Sequence, residues 1–170
     1  MLLKFLLAPI ALAMATTPVP NKDAAVSRRL DFNQIVAVAE NLKQPIIAAC
    51  NKNQVQEVNN HLIEIHKPVS EIAQRFHLIG KLGKDVLFPQ ARIFIAFLKV
   101  FELILREISH HQKVSDGSHK ALAEFQPNFD LIVDDFRKYK TDFHSALDGF
   151  RIDVALWVRF GFKFQSKIGV

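Results

Sequence analysis

The sequence predicts an all-α protein: a bundle of four main amphipathic helices over residues 30–158, with kinks at its prolines. Apolar residues recur at three- and four-residue spacings along most of the chain, which is the period of a helix with one buried face. Of the 170 residues, 49% are apolar, enough for one domain with its own core. Only one stretch, near the end, alternates with the period of two that strands show.

The first two helices each contain a proline. The first begins near Asp31, a suitable N-cap, and ends before the polar turn at 51–53. Pro45 predicts a kink in it because proline lacks a backbone N–H donor. The second helix runs over about 54–78, with a second kink predicted at Pro68. Its apolar stripe is Val55, Val58, Leu62, Ile65, Val69, Ile72 and Phe76.

The third helix, at about 90–112, is the most apolar and is therefore predicted to lie in the middle of the bundle. Its cations Arg92, Lys99 and Arg106 are seven residues apart and lie along one narrow edge. Glu102 lies beside that edge and is spaced to pair with Arg106, a contact worth a few tenths of a kcal/mol.

After a predicted turn at 115–118, a fourth helix is interrupted early by Pro127. Aromatic residues recur at seven-residue intervals along it: Phe129, Phe136, Phe143, Phe150 and Trp157. Residues 150–165 also alternate as a strand does, but a strand would have no partner in this chain. We therefore predict that the helix continues to about Val158 and that an apolar-basic tail follows at 159–170.

The N-terminal region has the features of a secreted protein. Residues 1–15 contain a lysine, a short apolar run and small residues before a cleavage site after Ala15, as in a signal peptide. Residues 16–29 are polar and end in Arg28 and Arg29, either a pro-segment cut after the dibasic pair or a flexible leader. Cleavage there would remove four basic residues and one acidic residue and reduce the net charge from +5 to +2.

The sequence shows no catalytic, metal-binding or cofactor-binding pattern. His61 and His66 are five residues apart and His110 is adjacent to His111, and neither spacing suits a zinc site on a helix. The sequence contains no basic run of the kind that would indicate nucleic-acid binding. Cys50 is predicted to be a buried small hydrophobe, although an odd cysteine in a secreted protein also suggests an intermolecular disulfide.

Three functions are compatible with these features. The first is a secreted, non-enzymatic protein that presents its helix faces or its tail to a host or cell-wall partner. The second is a carrier of an apolar ligand or lipid, held between helices by Phe94, Phe97, Phe101, Phe129, Phe136 and Phe143. The third is a membrane- or surface-binding protein that uses its tail through Trp157, Arg159, Phe160, Phe162, Lys163 and Phe164.

The order of signal peptide, dibasic-ended leader and cysteine-poor, proline-containing helices resembles that of small secreted fungal proteins. Some proteins of this layout are effector candidates, and others are similar to the fungal hydrophobic-surface-binding proteins, which are helical and associated with the cell wall. The resemblance implies an extracellular helical protein without enzymatic activity. This chain is more charged and richer in phenylalanine than the surface-binding group.

Overall fold

A computed structural model describes residues 30–79, 82–147 and 149–169, and its secondary structure in these ranges is helical throughout, without strands. The helices are α1 (Asn33–Asn51), α2 (Val55–Leu78), α3 (Lys84–His110), α4 (Gln112–Ala123), α5 (Phe125–Lys138), α6 (Phe143–Leu147) and α7 (Val154–Arg159), followed by a 3-10 helix (Phe164–Lys167). The all-α prediction is therefore confirmed, and the alternating stretch near the C-terminus does not form a strand.

The long helices pack by the apolar stripes that the sequence predicts. α1 lies against both α2 and α3, and α2 also packs on α4 and α5. On α2 the predicted stripe is buried from Val58 to Phe76, with Val55 partly exposed at its start. α3 has more buried residues than any other described helix, as its apolar sequence predicts. Buried Gln90 accepts a hydrogen bond from the backbone N–H of Phe32 at 3.3 Å and so ties the start of α1 to α3.

The predicted turn at 115–118 is wrong, because these residues lie inside α4. Ser115 and Ser118 are buried, and Gly117 faces Val55 of α2 so closely that an added Cβ would collide with the valine side chain. Glycine and serine favour turns in general. Here their small size instead allows α4 to approach α2.

The prediction of one helix continuing to Val158 is also wrong. α5 ends at Lys138, and Lys140 has a left-handed backbone conformation with φ of 56°. Gly149, with φ of 76°, lies between the short α6 and a connection without regular secondary structure at 150–153. The side chain of Asp153 then caps α7 by accepting a hydrogen bond from Leu156 N at 3.1 Å. The seven-residue aromatic stripe is therefore divided among three helices and a loop.

The prolines are accommodated in two ways. Pro45, Pro68 and Pro89 lie inside α1, α2 and α3, and each helix continues through its proline. Pro127 lies in the first turn of α5, where backbone N–H groups have no intrahelical acceptor and proline therefore sacrifices no hydrogen bond.

Candidate functional site

The six phenylalanines predicted to line a ligand cavity all lie in the hydrophobic core: Phe94, Phe97, Phe101, Phe129, Phe136 and Phe143. Their rings contact one another, with centroids 5.5 Å apart for Phe97 and Phe101 and 5.7 Å apart for Phe101 and Phe129. A shallow cleft beside α6 has one ring of this set, Phe143, in its lining. The clefts of about 350, 500, 510 and 520 Å³ elsewhere on the described surface contain none. The structure thus brings the six rings together as packed core.

The C-terminal segment divides its predicted surface-binding residues between the core and solvent. Its aromatic residues are buried: Trp157, Phe160, Phe162 and Phe164. Arg159 and Lys163 are exposed. The rings of Phe162 and Phe164 lie 5.4 and 5.5 Å from that of Phe129 on α5. The described part of this segment therefore covers the core with its aromatic rings and leaves its cations at the surface.

Polar contacts also hold this segment on α5. The backbone N–H of Lys163 donates to the side-chain oxygen of Gln126 at 3.0 Å. Lys167 lies 2.9 Å from a carboxylate oxygen of Asp130 and 2.8 Å from one of Asp134. The hydrogen bonds that Lys167 donates, to Asp134 first and to Asp130 second, raise the pKa of its ammonium.

Glu102 on α3 is a buried carboxylate with three donors around it. It accepts hydrogen bonds from the indole N–H of Trp157 at 2.8 Å and from the backbone N–H of Asp153 at 3.0 Å. Its other oxygen lies 3.2 Å from Arg106, in the pair that the sequence predicts. Only 6% of the Glu102 side chain is exposed, whereas half of Arg106 is. Glu102 therefore joins α3 to α7 and to the residues that precede α7.

A cleft of about 520 Å³ opens directly above this carboxylate. One wall is the exposed edge of α3, with Lys99, Leu103 and Arg106, and the other is formed by Phe150 and Arg151. We call these five residues the basic groove. A second cleft, of about 500 Å³, shares Gly149, Phe150 and Arg151 with the groove and adds His144, Leu147, Ile152 and Gly169.

The two walls of the basic groove are held in place by α3. The ammonium of Lys99 lies 5.1 Å from the centre of the Phe150 ring, a cation–π contact. The hydrogen bond from Asp153 N to Glu102 fixes the chain three residues further on. Leu103 is 48% exposed, and Phe150 is partly buried against the core. The groove therefore offers apolar surface between fixed cations.

The electrostatic balance of the basic groove is positive. Lys99, Arg106 and Arg151 are exposed cations, and among the residues that the structure describes Glu102 is the one carboxylate in the lining of the cleft. The carboxylate of Glu102 already forms an ion pair with Arg106 and accepts hydrogen bonds from two N–H donors. Among the residues that the structure describes, no carboxylate forms an ion pair with Lys99 or Arg151. An anionic group is the chemical partner that this arrangement lacks.

A different cleft, of about 510 Å³, lies between α2 and α4. Ile63, 60% exposed, and His66 are on its α2 side. The Nε2 atom of His66 lies 3.0 Å from the carbonyl oxygen of Glu124 and 2.9 Å from the side-chain nitrogen of Asn128. Lys120 and Glu124 both line this cleft, so its cation is balanced by a carboxylate and it has no excess of charge.

The described residues contain no group of three or more histidine, cysteine, aspartate or glutamate side chains able to hold a metal ion. Cys50 is fully buried and is not in a disulfide. Burial, with a smaller contribution from the carboxylate of Glu107, raises the pKa of its thiol to about 11. Within the same ranges, no helix is both long and apolar enough to cross a membrane.

The predicted processing residues Ala15, Arg28 and Arg29 lie outside the described residues. The first described residue, Leu30, is fully buried, and so is Phe32. A chain cut after Arg29 would therefore begin at a residue that belongs to the core.

Sequence reasoning missed the basic groove because it assigned the wall formed by Phe150 and Arg151 to a helix. It also placed Glu102 at the exposed edge of α3. One signal was available: Glu102 lies at the border between the cationic edge of α3 and its apolar side, next to Leu98 and Leu105 as well as Arg106. A carboxylate in that position needs buried donors.

No family model matches this chain, and neither the curated proteins nor the solved structures contain a significant match to it. The functional argument therefore depends on the geometry of the basic groove alone.

Proposed function

We propose that this protein is a secreted, non-enzymatic interaction protein that binds a negatively charged partner surface through the basic groove. The partner is a protein or another component of a host or cell-wall surface. In this proposal the groove binds its partner by charge and by apolar contact and does not catalyse a reaction. The layout shared with small secreted fungal proteins supports the extracellular location.

The observation that carries this proposal is the pairing of unneutralised cations with exposed apolar surface at a fixed site. Lys99 and Arg151 have no carboxylate partner in the described ranges, and Leu103 and Phe150 lie between them. Cations at the rim of an interface increase the rate of encounter with an acidic partner, and the apolar area then slows dissociation.

The scaffold in this proposal is a bundle of four main helical segments, with α1, α2 and α3 as three of them and the α4–α5 pair as the fourth. We also propose that the helical segments bend at Pro45, Pro68 and Pro127. The scaffold positions α3 so that one edge of a largely buried helix remains at the surface, at Lys99, Leu103 and Arg106.

The carrier function receives less support from the geometry. Its six phenylalanines contact one another, and the clefts described above open on the surface. Binding of a surface by the C-terminal aromatic rings would require Trp157, Phe160, Phe162 and Phe164 to leave the core. We therefore propose the basic groove as the binding site in place of these rings.

The test is affinity capture from the native extracellular medium with three forms of the full secreted chain. The forms are the unchanged protein, the charge reversal Lys99→Glu/Arg151→Glu and the control Lys52→Glu/Lys67→Glu. The control makes the same change of charge at exposed lysines after α1 and on α2. We expect the unchanged protein and the control to retain a common partner and the groove variant to lose it. Equal retention by all three forms would reject the proposal.

A further inference from the structure

The charges and the small apolar area of the basic groove restrict what can occupy it. It is a cleft with cations on both walls, Lys99 and Arg106 on α3 and Arg151 opposite. Among the described residues that line it, Leu103 is the one largely exposed apolar side chain, which suits contact with a single side chain of a bound segment better than insertion into a bilayer, where a broad apolar face is needed. The adjoining cleft, which shares Gly149 and Phe150, extends the surface along which a chain can bind.

The charges of the chain itself argue against two other occupants. The segment before Leu30 contains Lys22, Arg28 and Arg29 against a single acidic residue, Asp23, so the groove would repel it. A second copy that paired through the same face would place the cations of the two grooves opposite one another. Like charges that face each other across an interface oppose association.

We infer that the occupant of the basic groove is a short acidic segment of a partner protein that carries one apolar side chain. This inference rests on the proposed function and specifies its partner class. The carboxylates of the segment pair with Lys99 and Arg151 at the rim. Its apolar side chain lies on Leu103 and the half-buried Phe150 ring, which Lys99 already holds in place.

Arg106 has a different part from the other two cations. Its guanidinium pairs with Glu102, which also accepts hydrogen bonds from α7 and from Asp153 at its start. Part of its charge is thus already neutralised before a ligand arrives. Lys99 and Arg151 should therefore dominate the binding of the acidic segment.

Fluorescence anisotropy with short labelled peptides tests this inference on the full secreted chain. The probe is a peptide of aspartate and glutamate residues around one leucine. The comparison peptides are its amide counterpart of asparagine and glutamine around leucine, and an acidic peptide with serine in place of leucine. We expect the acidic leucine peptide to bind most tightly, and its affinity to fall as salt screens the charges.

The protein variants are those of the capture experiment, with Leu103→Gln added to remove apolar surface without a change of charge. We expect Lys99→Glu/Arg151→Glu to weaken binding of the acidic leucine peptide at least about tenfold, since reversal of charges in an interface costs more than 1.4 kcal/mol. Lys52→Glu/Lys67→Glu should remain near the unchanged affinity. Circular dichroism on each variant establishes that the changes act at the surface and not on the fold.

The outcomes separate this inference from the proposed function. If the amide peptide binds as well as the acidic one, or if groove and control variants bind alike, the acidic segment is rejected. If vesicles of phosphatidylserine and phosphatidylcholine bind by way of the groove while no peptide does, the occupant is a lipid surface and the inference is overturned. In that case the capture experiment would still show loss of the partner by the groove variant, and the proposed function would remain.

Discussion

Replacement of Glu102 by alanine should destabilise the protein strongly, because the carboxylate accepts hydrogen bonds from the buried indole N–H of Trp157 and from the partly buried backbone N–H of Asp153. Trp157 is fully buried, so its indole N–H, 2.8 Å from Glu102, has no other acceptor among the described side chains. The backbone N–H of Asp153 loses its acceptor as well. A buried donor left without a partner costs about 1–3 kcal/mol, so we expect the free energy of unfolding to fall by about 3 kcal/mol.

The control for this prediction is Glu71→Ala on α2. Glu71 pairs with Arg75 at 3.3 Å and at the same four-residue spacing as Glu102 and Arg106, but its side chain is 44% exposed. Exposed pairs of this kind contribute about 0.5 kcal/mol or less. The control therefore removes a similar ion pair without leaving a buried donor.

Urea denaturation followed by tryptophan fluorescence measures both effects. Trp157 is the only tryptophan, so the emission reports directly on the contact between α3 and α7. Glu102→Gln retains an oxygen that can accept from both Trp157 and Asp153 but places its NH2 group toward Arg106, so it should lose less stability than alanine. The reasoning is refuted if Glu102→Ala lowers the free energy of unfolding by no more than Glu71→Ala does.

Three further changes follow from burial elsewhere in the molecule. The pKa of the Cys50 thiol is about 11 in the folded state and near 9 in the unfolded state. The unfolded chain therefore loses this proton first, and the free energy of unfolding should fall by about 2 kcal/mol as the pH rises from 9 to 11. A Cys50→Ala variant should lack this decline. Gly117→Ala should destabilise by about 1–3 kcal/mol because its Cβ meets Val55, although the same change at an open helix position stabilises; combined with Val55→Ala, the loss should be smaller. A dibasic-specific protease should cut after Arg29 faster in the urea-unfolded chain than in the folded one, because Leu30 is buried.

Each of these three has a clear contrary result. Stability that is constant between pH 9 and 11, or an equal decline in Cys50→Ala, would contradict the burial of the thiol as its cause. A Gly117→Ala variant as stable as the unchanged protein would show that α4 has room beside α2. Equal cleavage rates in folded and unfolded chains would show that the bond before Leu30 is accessible in the folded protein.

The sequence predicts correctly those helices in which one buried face determines the spacing of the apolar residues. On α2, burial from Val58 to Phe76 follows the 3-4 spacing closely, and α3 has the buried surface that its apolar run predicts. Local patterning failed where long-range packing decides the outcome. The glycine and serine residues of α4 read as a turn, but their small size serves the contact of Gly117 with α2.

The C-terminal region shows why two periods in one segment gave the wrong structure. Phe162 and Phe164 are buried on alternate positions, as a strand would place them, yet they lie in an irregular segment that ends in a 3-10 helix. Val158 falls on the same alternating pattern and is 57% exposed. Only the position of α5 and of the Phe129 ring determines which side chains turn inward, and a period in the sequence does not contain that information.

The most direct test of the central claim is chemical-shift mapping of the full secreted chain titrated with the acidic leucine peptide. The basic groove predicts that the largest changes occur at Lys99, Leu103 and Arg106 on α3 and at 149–152, and that they are absent from Lys99→Glu/Arg151→Glu. Changes centred instead on the cleft between α2 and α4, at Ile63, would contradict it.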